Sequence, residues 1–267
     1  MIDIGVNLSS KRFKGDIGEV LTRAREAGVQ QMVLTGTSLD ESQLVIDICD
    51  EYAEQFPAML FATCGIHPHD ASSFNNESLA ALRDLSTHPQ VVAIGEAGLD
   101  FNRNLSSAKQ QEVAFEAQLE LAAELQMPVF LHERDAAKRQ LEILNSYRDA
   151  FSEGVIHCFT GDEKTLFSYL DMDLHIGITG WVCDERRGLE LKGLVKNIPL
   201  ERLLIETDSP YLLPRNMHPV PKDRRNEPAF LPFVLSGIAD ARKETPEEIK
   251  SATSANAARF FKLPVAD

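Results

Sequence analysis

The sequence predicts an α/β protein of the (β/α)8 TIM-barrel class, with residues 1–267 forming a single domain. Three observations lead there. Eight short apolar runs alternate with amphipathic segments from end to end, and eight parallel strands suffice to close a barrel. Four of the runs lead into a residue able to bind a cation or a proton: Val91 to Glu96, Val129 to His132, Val155 to His157, and Leu203 to Asp208. The length of 267 residues also suits one barrel, a fold that typically takes about 250.

Strands are expected at Ile2 to Val6, Gln31 to Leu34, Met59 to Cys64, Val91 to Glu96, Val129 to His132, Val155 to His157, Leu174 to Ile178 and Leu203 to Glu206. These runs are rich in β-branched residues and lack polar alternation, as strands buried on both faces do. The segments between them carry apolar residues at helical spacing, such as Ile17, Val20, Leu21 and Ala24, or Val113, Ala114, Ala117, Leu121 and Leu125. Ser38 with Glu41, and Ser106 or Ser107 with Gln110, have capping-box spacing. A last helix is expected from Thr245-Pro246-Glu247-Glu248 to Phe261, with proline in its first turn.

With 43% hydrophobic and 25% charged residues, the chain can bury a core without a partner, and no obligate protein partner is implied. The segment Met1-Ile2-Asp3-Ile4 carries an acid at once and lacks a basic leader, and no stretch is long enough to span a bilayer. Cys49, Cys64, Cys158 and Cys183 form no CxxC pair, which suits reduced thiols in a cytoplasmic protein. A net charge of -14 opposes adventitious binding to nucleic acid, so a polyanionic substrate needs a local basic patch.

In a parallel α/β barrel the carboxyl ends of the strands share one face, where residues distant in sequence converge. Glu96, His132, His157 and Asp208 then form a metal site of the kind used for hydrolysis. Two imidazoles and two carboxylates suit Zn2+ or Mn2+. His67 and His69, flanking Pro68, contact a substrate phosphate, ligate a metal or serve the loop alone. His88 and His175 read as structural.

Arg134 offers a planar fork to a phosphate or pairs with a neighbouring acid. Trp181, the only tryptophan, is expected to be exposed by its place in a loop with Arg186 and Arg187, a combination suited to a stacked nucleobase or to a plug over the barrel mouth. After Asp208, the residues Arg215, Lys222, Arg224 and Arg225 surround a single acid, Asp223, and form the expected basic rim.

The blocks Gly65-Ile66-His67-Pro68-His69, Gly95 to Phe101, Pro128 to Asp135, His157-Cys158-Phe159-Thr160-Gly161 and Glu206 to Tyr211 occur in an order that resembles the TatD-type deoxyribonucleases. The resemblance runs from Asp3 to the end of the chain. It implies a metal-dependent barrel hydrolase using Mg2+, a 3′ to 5′ exonuclease on single-stranded DNA, with RNA as a further substrate and a role in DNA repair. It also implies that Glu96, His132, His157 and Asp208 are the metal ligands and that Asp208 takes a proton from the attacking water. Many relatives carry His-x-His at the end of the first strand, where this chain has Gly5 and Asn7, as in the TatD subgroup; Glu133 is unusual at its position. Two alternatives remain open at this point: a small-molecule amide, lactone or ester hydrolase, and a catalytically weak nucleic-acid-binding protein.

Overall fold

The structure, a computed structural model, describes residues 1–264. Eight strands form one parallel sheet in chain order: β1 Ile2–Val6, β2 Gln31–Leu34, β3 Leu60–Cys64, β4 Val91–Asp100, β5 Val129–Arg134, β6 Gly154–Ile156, β7 His175–Ile178 and β8 Leu203–Ile205. The sheet closes where β1 meets the chain just beyond β8. Val6 bridges Ser209 in parallel, Asn7 N donates to Ser209 O at 2.8 Å, and Asp208 N donates to Gly5 O at 2.9 Å. The strand order and closure are those of the (β/α)8 barrel.

The helices α1 Ile17–Glu26, α2 Leu39–Tyr52, α3 Asn76–Leu85, α4 Ala108–Leu125, α5 Ala137–Tyr147, α6 Glu163–Asp171, α7 Leu189–Leu194, α8 Leu231–Ala239 and α9 Pro246–Phe260 surround the sheet. Ser38 accepts from Glu41 N, while Ser107 and Thr245 form capping boxes with Gln110 and Glu248, satisfying amides that would otherwise lack partners. The long α4 departs from its expected stripe. Val113 is exposed, and Gln111 and Gln118 are buried instead. Their amides bond the backbone of Asp100 and Ile66, so α4 supports the loop side of the barrel by hydrogen bonds as well as by packing.

Two apolar groups make the core. One fills the space between strands and helices; the other joins Ile4, Val33, Phe61, Phe130, Val155 and Leu204 to Phe260 and Phe261 of the C-terminal segment. None of the described helices is long and apolar enough to cross a membrane.

β4 and β5 do not stop at Glu96 and His132 as expected; they continue to Asp100 and Arg134. The cause is a bulge. Ile94 pairs with Val129 and Ala97 with Leu131, so three steps along β4 match two along β5. Gly95 and Gly98 lie at φ 140° and 143°, and a Cβ at either would strike the β5 backbone at Phe130 O or His132 O. Only glycine permits that approach. Conversely, β6 and β8 end before His157 and Glu206, which leaves both residues, and Asp208, in the following turns.

Candidate active site

The bulge in β4 delivers Glu96 into the mouth of the barrel, where its side chain is buried. Three imidazoles surround a single oxygen of it. Glu96 Oε1 lies 2.8 Å from His132 Nδ1, 2.8 Å from His157 Nε2 and 3.4 Å from His67 Nε2. Burial opposes ionisation of Glu96, but the charges of His157 and His67 and the hydrogen bonds of His132 and His157 outweigh it, holding the carboxyl well below its usual range. Burial likewise acts against a charged His157, yet Glu96 and Glu206 outweigh it and raise its pKa well above that of free histidine. His132 is raised in the same sense by Asp100 and Glu96, against its burial.

Among the described residues, His67, Glu96 and His132 form a group of possible ligands, their ligand atoms within 4.8 Å of one another. Hydrogen bonding nevertheless separates the roles of the imidazoles. His67 Nδ1 accepts from His69 N at 3.1 Å, so the neutral ring carries its proton on Nε2 and presents a donor to Glu96. Burial pushes the His67 pKa down and favours that neutral form.

His157 is arranged the opposite way. Its Nδ1 faces Glu206 Oε2 at 3.3 Å, so when the ring gives up a proton the one that remains stays on Nδ1 and Nε2 becomes the nitrogen with a lone pair. His132 Nε2 is buried without a hydrogen-bond partner, 3.6 Å from Asp100 Oδ2, while its Nδ1 points at Glu96. Two imidazoles and a carboxylate thus converge as cations prefer, and the protons now drawn onto the imidazoles are those a divalent ion would displace. The donor set fits a metal.

Asp208 lines the same cleft, of about 900 Å³, at φ 52°. Its carboxylate accepts from Asn7 Nδ2 at 3.0 Å rather than from an imidazole. Burial, with the charges of Glu206 and Glu96, pushes its pKa up to about 7 against the opposing charge of His157 and the Asn7 bond. The turn carrying Asp208 is fixed from below by buried Asp3, which accepts from Thr207 N at 2.9 Å and Thr207 Oγ1 at 2.6 Å. Sequence reading placed Asp208 at the site but missed Asn7 and Asp3 as its supports; both lie at the opposite end of the chain.

Around the mouth, His69 Nε2 lies 2.7 Å from Asp100 Oδ2. Arg134 is exposed, donates to Thr160 Oγ1 at 2.9 Å and faces Trp181 at 6.0 Å. Trp181 lines the cleft but is half-buried rather than exposed, packed against the core and covered by Arg187 at 4.5 Å. Arg187 therefore takes the position beside the indole, and Arg186 extends into solvent. Tyr211, 55% exposed at the cleft edge, is an aromatic that sequence reading passed over; its place directly after Pro210 beyond the last strand was the available signal.

The expected basic rim is corrected in part. Arg225 is drawn away from substrate: its guanidinium bonds Asp16 and Glu227, each at 2.6 Å, and lies over Phe13. Arg215 is paired with Glu185 at 2.6 Å. Lys222 and Arg224 remain exposed. Glu133 accepts from Ala136 N at 2.7 Å and so shapes the turn into α5.

The family model described as TatD related DNase matches residues 2–262. The chain belongs to this family. Among its TatD relatives, a Cronobacter sakazakii protein named 3′-5′ ssDNA/RNA exonuclease TatD is 52% identical over 261 residues, covering 98% of this chain and 97% of that protein. A Klebsiella pneumoniae protein of the same name is 52% identical over 265 residues and 99% of both chains. The crystal structure of YJJV, a TatD homolog from Escherichia coli K12, superposes with a TM-score of 0.88 at 26% identity, over 99% of this chain and 98% of its own. A TatD family hydrolase from Entamoeba histolytica gives 0.90 at 26% identity, over 99% and 98%. The protein is a hydrolase acting on nucleic acid.

Proposed function

We propose that this protein is a metal-dependent 3′ to 5′ exonuclease on single-stranded DNA and RNA, a cytoplasmic enzyme with a role in DNA repair whose whole chain forms one hydrolase domain. The observation that carries the reading is the convergence of His132 Nδ1 and His157 Nε2 on Glu96 Oε1 within an open cleft. Relatives about half identical along their full length bear the name of that activity.

Glu96, His132 and His157 would hold the ion, with Asp208 beside them; we assign Mg2+ from family membership, while the donor types also accept Mn2+ or Zn2+. When bound, the ion would polarise a phosphoryl oxygen and acidify a water. Asp208, oriented by Asn7, accepts the proton of the attacking water, and its position in the cleft is the basis for that role. His67 and His69 orient the scissile phosphate from the loop after β3. Arg134 contacts the next phosphate, and Arg186 and Arg224 attract the strand from the rim. Trp181 and Tyr211 offer planes for unpaired bases, which suits a single-stranded substrate.

The test uses 5′-labelled single-stranded DNA and RNA oligonucleotides with added Mg2+, Mn2+ or Zn2+. The expected result is progressive shortening from the 3′ end, abolished by chelator and by Glu96→Gln. Cleavage of simple esters without cleavage of either nucleic acid, or full nuclease activity in Glu96→Gln, overturns the proposal.

A further inference from the structure

Glu206 is fully buried, close to the ligand cluster, and takes no part in the proposed reaction itself. Its carboxylate is cradled rather than merely enclosed. A Cβ on Gly177 would lie 2.6 Å from Glu206 Oε1, and a Cβ on Gly5 would overlap Glu206 Oε2. Two strands on either side of β8 therefore give up side chains where this one carboxylate sits.

The carboxylate has two partners, both on the turn after β6. Oε2 faces His157 Nδ1 at 3.3 Å, and Oε1 accepts from Cys158 N at 2.5 Å. One side chain thus holds the ring of His157 and the backbone immediately after it. Phe130 supports the same ring by stacking, with centroids 4.8 Å apart and planes at 29°. A carboxylate can only accept, so the hydrogen on the nitrogen facing it stays on Nδ1 and the lone pair of a neutral His157 is left on Nε2, toward Glu96.

We propose that Glu206 is a positioning residue for the metal centre: by accepting from His157 Nδ1 and Cys158 N within a cradle cleared by Gly5 and Gly177, it fixes the tautomer and direction of His157 as a ligand. The proposal rests on the reading that Glu96, His132 and His157 hold the ion. An amide in place of the carboxylate adds an N–H donor that must face either His157 Nδ1–H or Cys158 N–H, so one of the two clamps is lost. Removal of such a partner typically weakens metal affinity by about 10- to 100-fold.

The experiment is calorimetric titration of chelator-treated, folded protein with Mn2+ and with Zn2+, comparing wild type, Glu206→Gln and Gly177→Ala. The last variant retains Glu206 but displaces its carboxylate, and it keeps the test decisive if Glu206→Gln does not fold. Both variants are expected to bind about 10- to 100-fold more weakly. In the Zn2+-loaded wild type, ring 15N spectra should place the His157 proton on Nδ1, with that signal altered in the variants. Wild-type affinity and an unchanged His157 signal in a folded variant overturn the positioning role while the ion site stands. A wild type that binds neither ion overturns the site itself, and the positioning role with it.

Discussion

Replacing Asp208 by Asn should have opposite effects on turnover and on stability. In the metal-free protein, burial and the nearby carboxylates Glu206 and Glu96 lift the Asp208 pKa from 3.8 to about 7. An acid raised on folding favours the native state fully below pH 3.8, and that contribution is lost as pH climbs through 7. The difference between the two pKa values corresponds to ~4 kcal/mol at pH 8. Asparagine carries no such charge, and its Oδ1 can still accept from Asn7 Nδ2.

Urea unfolding in excess chelator should therefore find Asp208→Asn more stable than wild type by about 2–4 kcal/mol at pH 8, with the gap falling below ~2 kcal/mol at pH 5. Exonuclease turnover in saturating metal should fall by about 10²- to 10⁴-fold, the usual worth of a positioned general base. A gap that is absent at pH 8, or the same at pH 5, refutes the electrostatic argument. Retained turnover removes Asp208 from the chemistry.

Arg225→Ala should lower stability by about 2 kcal/mol in denaturant titration, because Asp16 and Glu227 lose one of the two cations they share, Arg23 being the other, while the salt dependence of oligonucleotide binding stays as in wild type. A flattened salt slope would return Arg225 to the substrate. Trp181→Ala should raise KM for single-stranded DNA about tenfold with kcat little changed, since one stacked base contributes roughly 1–3 kcal/mol; an unchanged KM makes the indole a plug. Buried His175 has its pKa pushed down to about 4 by burial and by Arg202 and Arg259, opposed by Asp173. Glu153 also faces it, 3.5 Å from Nδ1. Its stabilising contribution, full above pH 6.5, should fade as pH drops toward 4, by ~3 kcal/mol in total. The stability difference between wild type and His175→Gln should then depend on pH across that interval, and a constant difference would remove His175 as the cause.

Taken alone, the sequence determined the eight strands, the helix caps at Ser38 and Thr245, a further cap at Ser106 or Ser107, and the identity of Glu96, His132 and His157 as strand-associated ligand candidates. Those features are local. A buried parallel strand shows as a continuous apolar run, and a cap shows in residues three apart. What only the tertiary structure decided depends on partners far apart in the chain. Glu206 meets His157 across 49 residues, and Arg225 meets Asp16 across 209. Nothing in the local pattern distinguishes an arginine that faces substrate from one held by a distant carboxylate, because both lie in polar loop sequence. Nor can spacing tell which nitrogen of a histidine keeps its lone pair. That is set by what lies against the other nitrogen: His69 N–H at His67 Nδ1, Glu206 at His157 Nδ1, and an unpartnered edge near Asp100 at His132 Nε2. The barrel brings these groups together because β4 bulges at Gly95 and because Gly5 and Gly177 leave room for a buried carboxylate, and the physical reason each glycine is needed appears only once the opposing strand is in place.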